Sequence, residues 1–220
     1  MNKTEMKNFE KLKLDDEKFH LLNGVVSDDC NLVLSFLPSG LSVEENKTCE
    51  LFIVLTDENL LNVKNNFNVR LKENSKLNVY VLLESDDLKS EINFNVLHVG
   101  CRSRCEFVMK TLLDGDSDLK FSGVIGVEKN VSSVVSSLRH DTLLLSSKSK
   151  VITMPALEIF NDDVEVEHSA SVGHFDDDKL FYLQSRGLSY NESKMLLMDA
   201  FMLSDLRMFS DEFYEKITKI

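Results

Sequence analysis

Proline and glycine are scarce in this chain, with two prolines and eight glycines among 220 residues. Tight β-hairpins draw on Asn-Gly and Asp-Gly pairs. Only Asp114 followed by Gly115, and Asn23 followed by Gly24, supply them. Turn chemistry is therefore thin for a protein of many hairpins. Long apolar runs are missing too. None approaches the ~18 residues that a membrane helix needs, and the opening MNKTEMKNFEKLKLDDEK has no apolar signal core. The default expectation is a cytoplasmic protein. Basic charge falls short, with 25 Lys and Arg against 37 Asp and Glu, a net charge of −12. Nucleic acids and anionic membranes both call for a basic face, so neither partner class fits. Enzyme signatures are absent: no phosphate-binding G-x-x-x-x-G-K-[ST], no G-x-S-x-G, no H-E-x-x-H and no H-x-H. Gly123 and Gly126 are too few to cradle a phosphate. The cysteines are Cys30, Cys49, Cys101 and Cys105. Without a signal peptide they are expected to stay reduced. Cys101 and Cys105 form C-x3-C rather than a zinc knuckle, and read as ordinary strand-and-turn residues.

What is present is 43% apolar and 28% charged, the balance of a globular domain. Residues 1–24 read as a charged lead-in, either loose or forming a short helix around Leu12, Leu14 and Phe19. Two apolar runs follow, NLVLSFL and CELFIVL, separated by the turn-like Pro38, Ser39 and Gly40. From Ser75 the chain repeats itself. SKLNV, SEINF, SRCEF and SDLKF each run serine, charged, apolar, polar, apolar, and their serines lie 15, 13 and 14 residues apart. Looser echoes occur at Asn130 and Ser149. Each cassette is a polar turn feeding a strand with one face buried. A near-constant spacing suggests stacked rungs, two strands to a coil of roughly 28 residues, hence a parallel β-helix over residues 25–175. An antiparallel sandwich remains the rival at this level.

Residues 155–187 join this body to a helical tail, residues 176–220. Leu157, Ile159, Val164 and Val166 alternate with acidic residues at period two, as strands do. After Gly173 and His174 comes an acidic triplet, then a helical pattern. Ser189 or Asn191 can cap the helix. Met195, Met198, Met202, Leu206 and Phe209 recur at three- and four-residue steps, while Leu196, Leu197, Phe201 and Leu203 widen the apolar band. Such a methionine-rich band suits either an adaptable partner or the protein's own domain.

His98 sits in a strand-like run and reads as a packed side chain, and His20 has no special setting. His168 differs. Eight carboxylates and no lysine or arginine occur between Val151 and Asp178. Imidazole among carboxylates is a metal-ligand composition. Glu167 and His168 are adjacent, so on a regular strand they face opposite ways. A shared ligand role would need a bulge or a neighbouring rung, for which His140 is the candidate. Composition thus leaves open a metal-dependent β-fold enzyme using His140, His168 and carboxylates, or a solvated acidic edge.

P-x-L-E-I at 155–159, D-D-V at 162–164, H-x-A-x-V-G at 168–173 and L-F-Y-L-x-S-R-G at 180–187 together resemble the C-terminal signature of the SufB/SufD family. These are scaffold subunits of SUF iron–sulfur cluster assembly. The resemblance is specific over about 50 residues and implies a right-handed parallel β-helix with a C-terminal helical domain. It implies a non-catalytic role, pairing with a SufB/SufD-type paralogue or a second copy through the β-helix. It also implies docking of a SufC-type ABC ATPase on the tail, with Phe181, Tyr182, Arg186, Gly187, Met195, Met198, Phe201 and Met202 as candidate contacts. His168 falls on the family's histidine at the assembly interface, with Glu167 beside it. R-H-D-T-L-L-L resembles the SufB segment carrying an assembly cysteine, whose place His140 takes. SufD-type members usually carry cysteine where this chain has Val166, and glycine at Ser169. The chain lacks both thiolates, so a cluster is expected to be held transiently and shared with a partner. A purely structural adaptor is the remaining alternative.

Overall fold

The computed structural model describes residues 12–22, 24–60 and 64–218. A helix α1 (Asp16–Leu21) leads into twelve strands: β1 (Val25–Val26), β2 (Cys30–Leu34), β3 (Gly40–Val43), β4 (Thr48–Leu55), β5 (Lys64–Leu71), β6 (Lys76–Ser85), β7 (Lys89–His98), β8 (Arg104–Leu113), β9 (Asp118–Val127), β10 (Val134–Leu144), β11 (Lys150–Ile159) and β12 (Val164–Gly173). Helices α2 (Asp177–Ser185), α3 (Tyr190–Leu203) and α4 (Asp211–Thr218) follow, with a 3-10 turn at Leu206–Met208 before α4. The lead-in to residue 11 lies outside the described residues; Leu12 and Leu14 precede α1 rather than belonging to it.

The strands form two six-stranded sheets, β1-β3-β5-β7-β9-β11 and β12-β10-β8-β6-β4-β2. Every pairing is parallel, which makes a β-helix and excludes the sandwich. Odd strands build one wall and even strands the other. Cys49 registers with Leu77 and Leu77 with Cys105, a step of 28 residues per coil. Three of the four cassette serines mark corners, while Ser90 is the second residue of β7. Ser75, Ser103, Ser117 and Ser149 are buried just ahead of their strands, where a small hydroxyl can turn back onto a carbonyl. Ser75 Oγ donates to Lys72 O and Ser103 Oγ to Gly100 O, each at 2.7 Å. The echo at Asn130 falls short of its strand, since β10 starts at Val134. Pro38, Ser39 and Gly40 are not a simple turn between two strands either; they lead into β3, which belongs to the other wall.

Glycine scarcity has a structural answer. Asn46, Asn74, Arg102 and Ser133 take the left-handed conformation at equivalent corners, with φ of 53–60°. Asparagine tolerates that region because its short side chain bonds locally. Asn74 Nδ2 donates to Asn46 Oδ1 of the coil before at 2.9 Å. Gly100 is required for a different reason: a Cβ there would lie 2.0 Å from the Glu73 backbone nitrogen of the adjacent coil.

The interior holds a ladder of rings. Phe67 meets Phe94 at 5.5 Å, Phe94 stacks on Phe107 at 4.0 Å, Phe107 on Phe121 at 6.0 Å, and Phe121 reaches His140 at 4.5 Å. Each buried phenylalanine contributes about 1.5–3 kcal/mol by leaving water. Strands β4 and β6 are also buried on their outward side, which explains their nearly unbroken apolar runs. That second layer is the helical tail. Phe52, Tyr80, Leu82 and Val108 pack outward against Met198, Met202, Leu206, Phe209, Phe213 and Ile217. Polar ties fix the placement. Tyr80 Oη donates to Met202 O at 2.8 Å and Asn78 Nδ2 to Met208 O at 2.9 Å, while buried Glu50 accepts from Ser210 N at 2.8 Å. Lys110 bridges Asp141 at 2.7 Å and Asp205 at 2.8 Å, and Arg139 reaches Asp205 at 2.5 Å. Ser189 is the cap of α3, in a reciprocal capping box with Glu192. The apolar band is therefore not one helix, because the chain turns at Asp205 to keep following the sheet.

Candidate functional site

The two ends of the β-helix differ, and the candidate site is the C-terminal one. Strands β11 and β12 are the last of their sheets, so each leaves one edge without a neighbouring strand. Their inward-facing residues follow from register. Leu138 and Phe121 lie in the interior, and they pair with His168 and Thr153. Val166, His168, Ala170 and Val172 of β12 thus face the interior side, as do Pro155, Leu157 and Ile159 of β11. Among the described residues no further coil covers them. His168 is exposed, and so are Leu157, Ile159 and Val172, with Phe160 at 69% exposure just beyond β11. Ile152 and Met154, pointing outward from β11, extend this apolar rim. The last two strands end the stack but carry the sequence of interior strands.

His168 and Glu167 do face opposite ways, as strand geometry requires. Glu167 registers with Ser137, and Ser137 with Glu106, on the outward side. Burial, the largest influence, holds the Glu106 carboxyl above its usual range, and the charge of Glu167 adds to this. His140 lies inward on β10, in register with Ala170, which puts it diagonally behind His168. It is fully engaged. Its Nε2 meets the hydroxyls of Thr111 at 3.1 Å and Thr142 at 3.2 Å, and Nδ1 meets that of Thr153 at 3.2 Å. Burial pushes its pKa down to about 4, so the ring is neutral near pH 7. The structure does not bring His140, His168 and carboxylates into one ligand set. Among the described residues no group of three or more His, Cys, Asp or Glu could hold a metal ion.

Thiolates are absent from this end. Val166 packs against the interior and stands in register with Ser136, which in turn pairs with Cys105. Cys105 is buried two coils back, where burial raises its thiol well above the usual range. Cys101 sits at a corner, accepting from Ser132 N at 3.5 Å, and has no part in a shared site with Cys105. His98 is buried with Nδ1 2.7 Å from Ser103 Oγ, a packed side chain as its sequence setting suggested.

On the tail, the eight candidate contacts divide. Met198 and Met202 are 5% and 3% exposed, taken up by the protein's own sheet, and Phe201 packs partly there with Lys110 Nζ 4.9 Å from its ring. They are not a free face, because the outward side of β4, β6 and β8 is itself apolar and claims them. Phe181, Tyr182 and Met195 are exposed, as are Leu196 and Leu203 of the apolar band, and Tyr190, which sequence reasoning passed over, joins them. Arg186 and Gly187 form the α2–α3 corner, with Gly187 at φ +99° and the Arg186 guanidinium 5.1 Å from the Tyr182 ring. No described helix is long and apolar enough to cross a membrane.

The family model described as SUF system FeS cluster assembly, SufBD core domain, matches residues 28–201, and so reaches through the cassette coils as well as the C-terminal signature. An iron–sulfur cluster assembly SufBD family protein, ycf24, of Galdieria sulphuraria is 30% identical over 129 residues, 58% of each chain. The iron–sulfur cluster assembly protein SufD of Escherichia coli K12 is 34% identical over 101 residues, 46% of this chain and 23% of that one. SufB of Bacillus subtilis is 28% identical over 107 residues, 49% and 23% respectively. The chain thus spans between 14% and 58% of the length of the curated relatives it matches. With a matching core over most of its length and a parallel β-helix ending in helices, the chain belongs to the SufBD family of iron–sulfur cluster assembly proteins.

Proposed function

We propose that this chain is a non-catalytic scaffold subunit of a cytoplasmic SUF assembly complex, pairing through the open end of its β-helix and docking a SufC-type ABC ATPase on α2 and α3. The observation that carries this reading is the unfinished end: apolar, interior-type residues Leu157, Ile159 and Val172 lie uncovered around His168. Free strand edges of this kind are templates for another chain. The iron–sulfur cluster is cargo here. Clusters are held mainly by thiolates, which the described residues lack at this end, so a SufB/SufD-type partner supplies them and His168 contributes an imidazole. Glu167, on the outward side, acts on charge at the rim rather than as a co-ligand. The ATPase contact reduces to Phe181, Tyr182 and Met195 around the Arg186–Gly187 corner, since Met198 and Met202 are committed inward. The ion network Asp205–Lys110–Asp141 continues to Ser171 of β12, whose hydroxyl donates to Asp141 at 2.6 Å. It gives the tail a direct link to the edge strand.

Co-purification tests the assignment. The chain should retain an ABC-type ATPase and a paralogue, and Phe181→Ala with Tyr182→Ala should release the ATPase alone. Survival of that contact would remove α2 from the docking surface. In the assembled complex, His168→Ala should lower cluster yield while leaving pairing intact. An unchanged yield would make the chain a structural adaptor.

A further inference from the structure

We propose that Cys30 and Cys49 form a reversible dithiol–disulfide couple that clips the first even strand to the second at the N-terminal end of the β-helix. The two residues are direct register partners on the parallel strands β2 and β4. Parallel neighbours stand ~4.8 Å apart, inside the ~4.4–6.8 Å window of Cα separations that disulfides span. Both side chains lie on the interior side, with Cys49 in the core and Cys30 packed against it. Their sulfurs are already 3.4 Å apart. A small side-chain rotation brings them to the ~2.05 Å of a disulfide without moving the strands.

Access divides the roles. Cys30 is half-buried on the terminal strand and can meet a small oxidant, whereas Cys49 is fully buried and can be reached only through Cys30. The Cys49 thiol can donate to a Cys30 thiolate, which holds Cys30 below the usual thiol range. Burial opposes this and the Lys18 ammonium assists it. Cys105, the next thiol in the same column, is separated from Cys49 by Leu77 and takes no part.

The oxidant is a low-molecular-weight disulfide of the glutathione type. The Cys30 thiolate attacks one of its sulfurs, forming a mixed disulfide and releasing one thiolate. Cys49 then gives up its proton and attacks the Cys30 sulfur, forming the intramolecular disulfide and releasing the second thiol. Two electrons and two protons pass from the pair to the oxidant, and an external thiol reverses both steps.

The test uses the full chain with Cys101→Ser, which removes the half-buried corner thiol. After incubation with glutathione disulfide, acid trapping and alkylation, peptide mass analysis should find Cys30 joined to Cys49 and two hydrogens lost. Cys30→Ser should leave Cys49 at least tenfold slower to react. Cys49→Ala should leave Cys30 stranded as the glutathione adduct, which shows that the pair resolves itself. Dithiothreitol should restore both thiols. The proposal fails if the parent chain accumulates the same adduct as Cys49→Ala, or if Cys30 does not react. Amide exchange of β2 measured on each variant before oxidation separates loss of reactivity from loss of fold.

Discussion

The β-helix has one end that is closed and one that is not. At the N-terminal end, α1 lies across the first coil. Asp15 accepts from Val33 N at 3.0 Å and Asp16 from Ser35 N at 3.0 Å, so carboxylates satisfy donors in and just after the terminal strand β2. Phe19, 6% exposed, plugs the interior, with its ring 5.6 Å from Phe36. At the C-terminal end no described element does either job. Leu157, Ile159, Phe160 and Val172 stay exposed, and so does His168 on the interior side of the last coil. An edge strand is a hazard that proteins usually cover, twist or charge. The same chain that caps one end with a plug and two carboxylates leaves the other apolar, which is the arrangement expected of a surface that another chain completes.

Matched truncations at the two ends put that contrast to the sharpest test. Phe19→Ala should cost about 3–5 kcal/mol in a denaturant melt, as for a buried aromatic. Phe160→Ala in the isolated chain should change stability by no more than about 0.5 kcal/mol. A comparable loss at both positions would mean that the C-terminal end is covered by its own chain.

Next in size is a test of how far the interior stays dry beneath the open end. The His140 ring should remain neutral down to about pH 4 when followed by NMR. Unfolded, it takes a proton near pH 6.5, so its contribution is complete above that pH. It falls as the pH drops from 6.5 toward 4, by about 3 kcal/mol in all. Glu84, raised to about 7 by burial and neighbouring carboxylates, runs the other way, adding stability as the pH falls from 7 toward 4.5. Titration of His140 near 6.5 would show water entering through the last coil.

Leu157→Asp should leave the isolated chain folded but weaken pairing by about 30-fold, or about 2 kcal/mol, by placing a charge in an apolar contact. Unchanged binding in a sedimentation series against the paralogue would assign the interface elsewhere. Smallest is Arg102→Gly, which relieves a left-handed φ of 58° midway between the ends. The gain in melting free energy should stay below about 1 kcal/mol, since glycine also loosens the unfolded chain.

Much of this was legible in the sequence. The cassette spacing marks the coils because each coil needs a corner, and a buried hydroxyl at Ser75 and Ser103 satisfies it locally. The C-terminal signature, with His168 in it, lies on the end where interior-type residues stay exposed. Left open were the methionines: helical periodicity shows that Met198 and Met202 share a face, but not which surface claims it. The signal lay elsewhere, in the unbroken apolar runs of β4 and β6, whose second buried face required a cover. His140 looked like a ligand beside acidic neighbours, yet its partners Thr111 and Thr153 come from other strands and cannot be seen along the chain.

Local pattern and repeat, acting over a few residues, therefore determined the strands, the 28-residue coil and the family. Tertiary structure decided what is covered. Whether Leu157 is core and Phe19 a plug, or Met198 a contact and Cys30 a partner of Cys49, depends on which strand comes last and what lies across it. Burial is a property of neighbours brought together by folding, and an apolar residue reads the same in sequence whether its neighbour belongs to its own chain or to another.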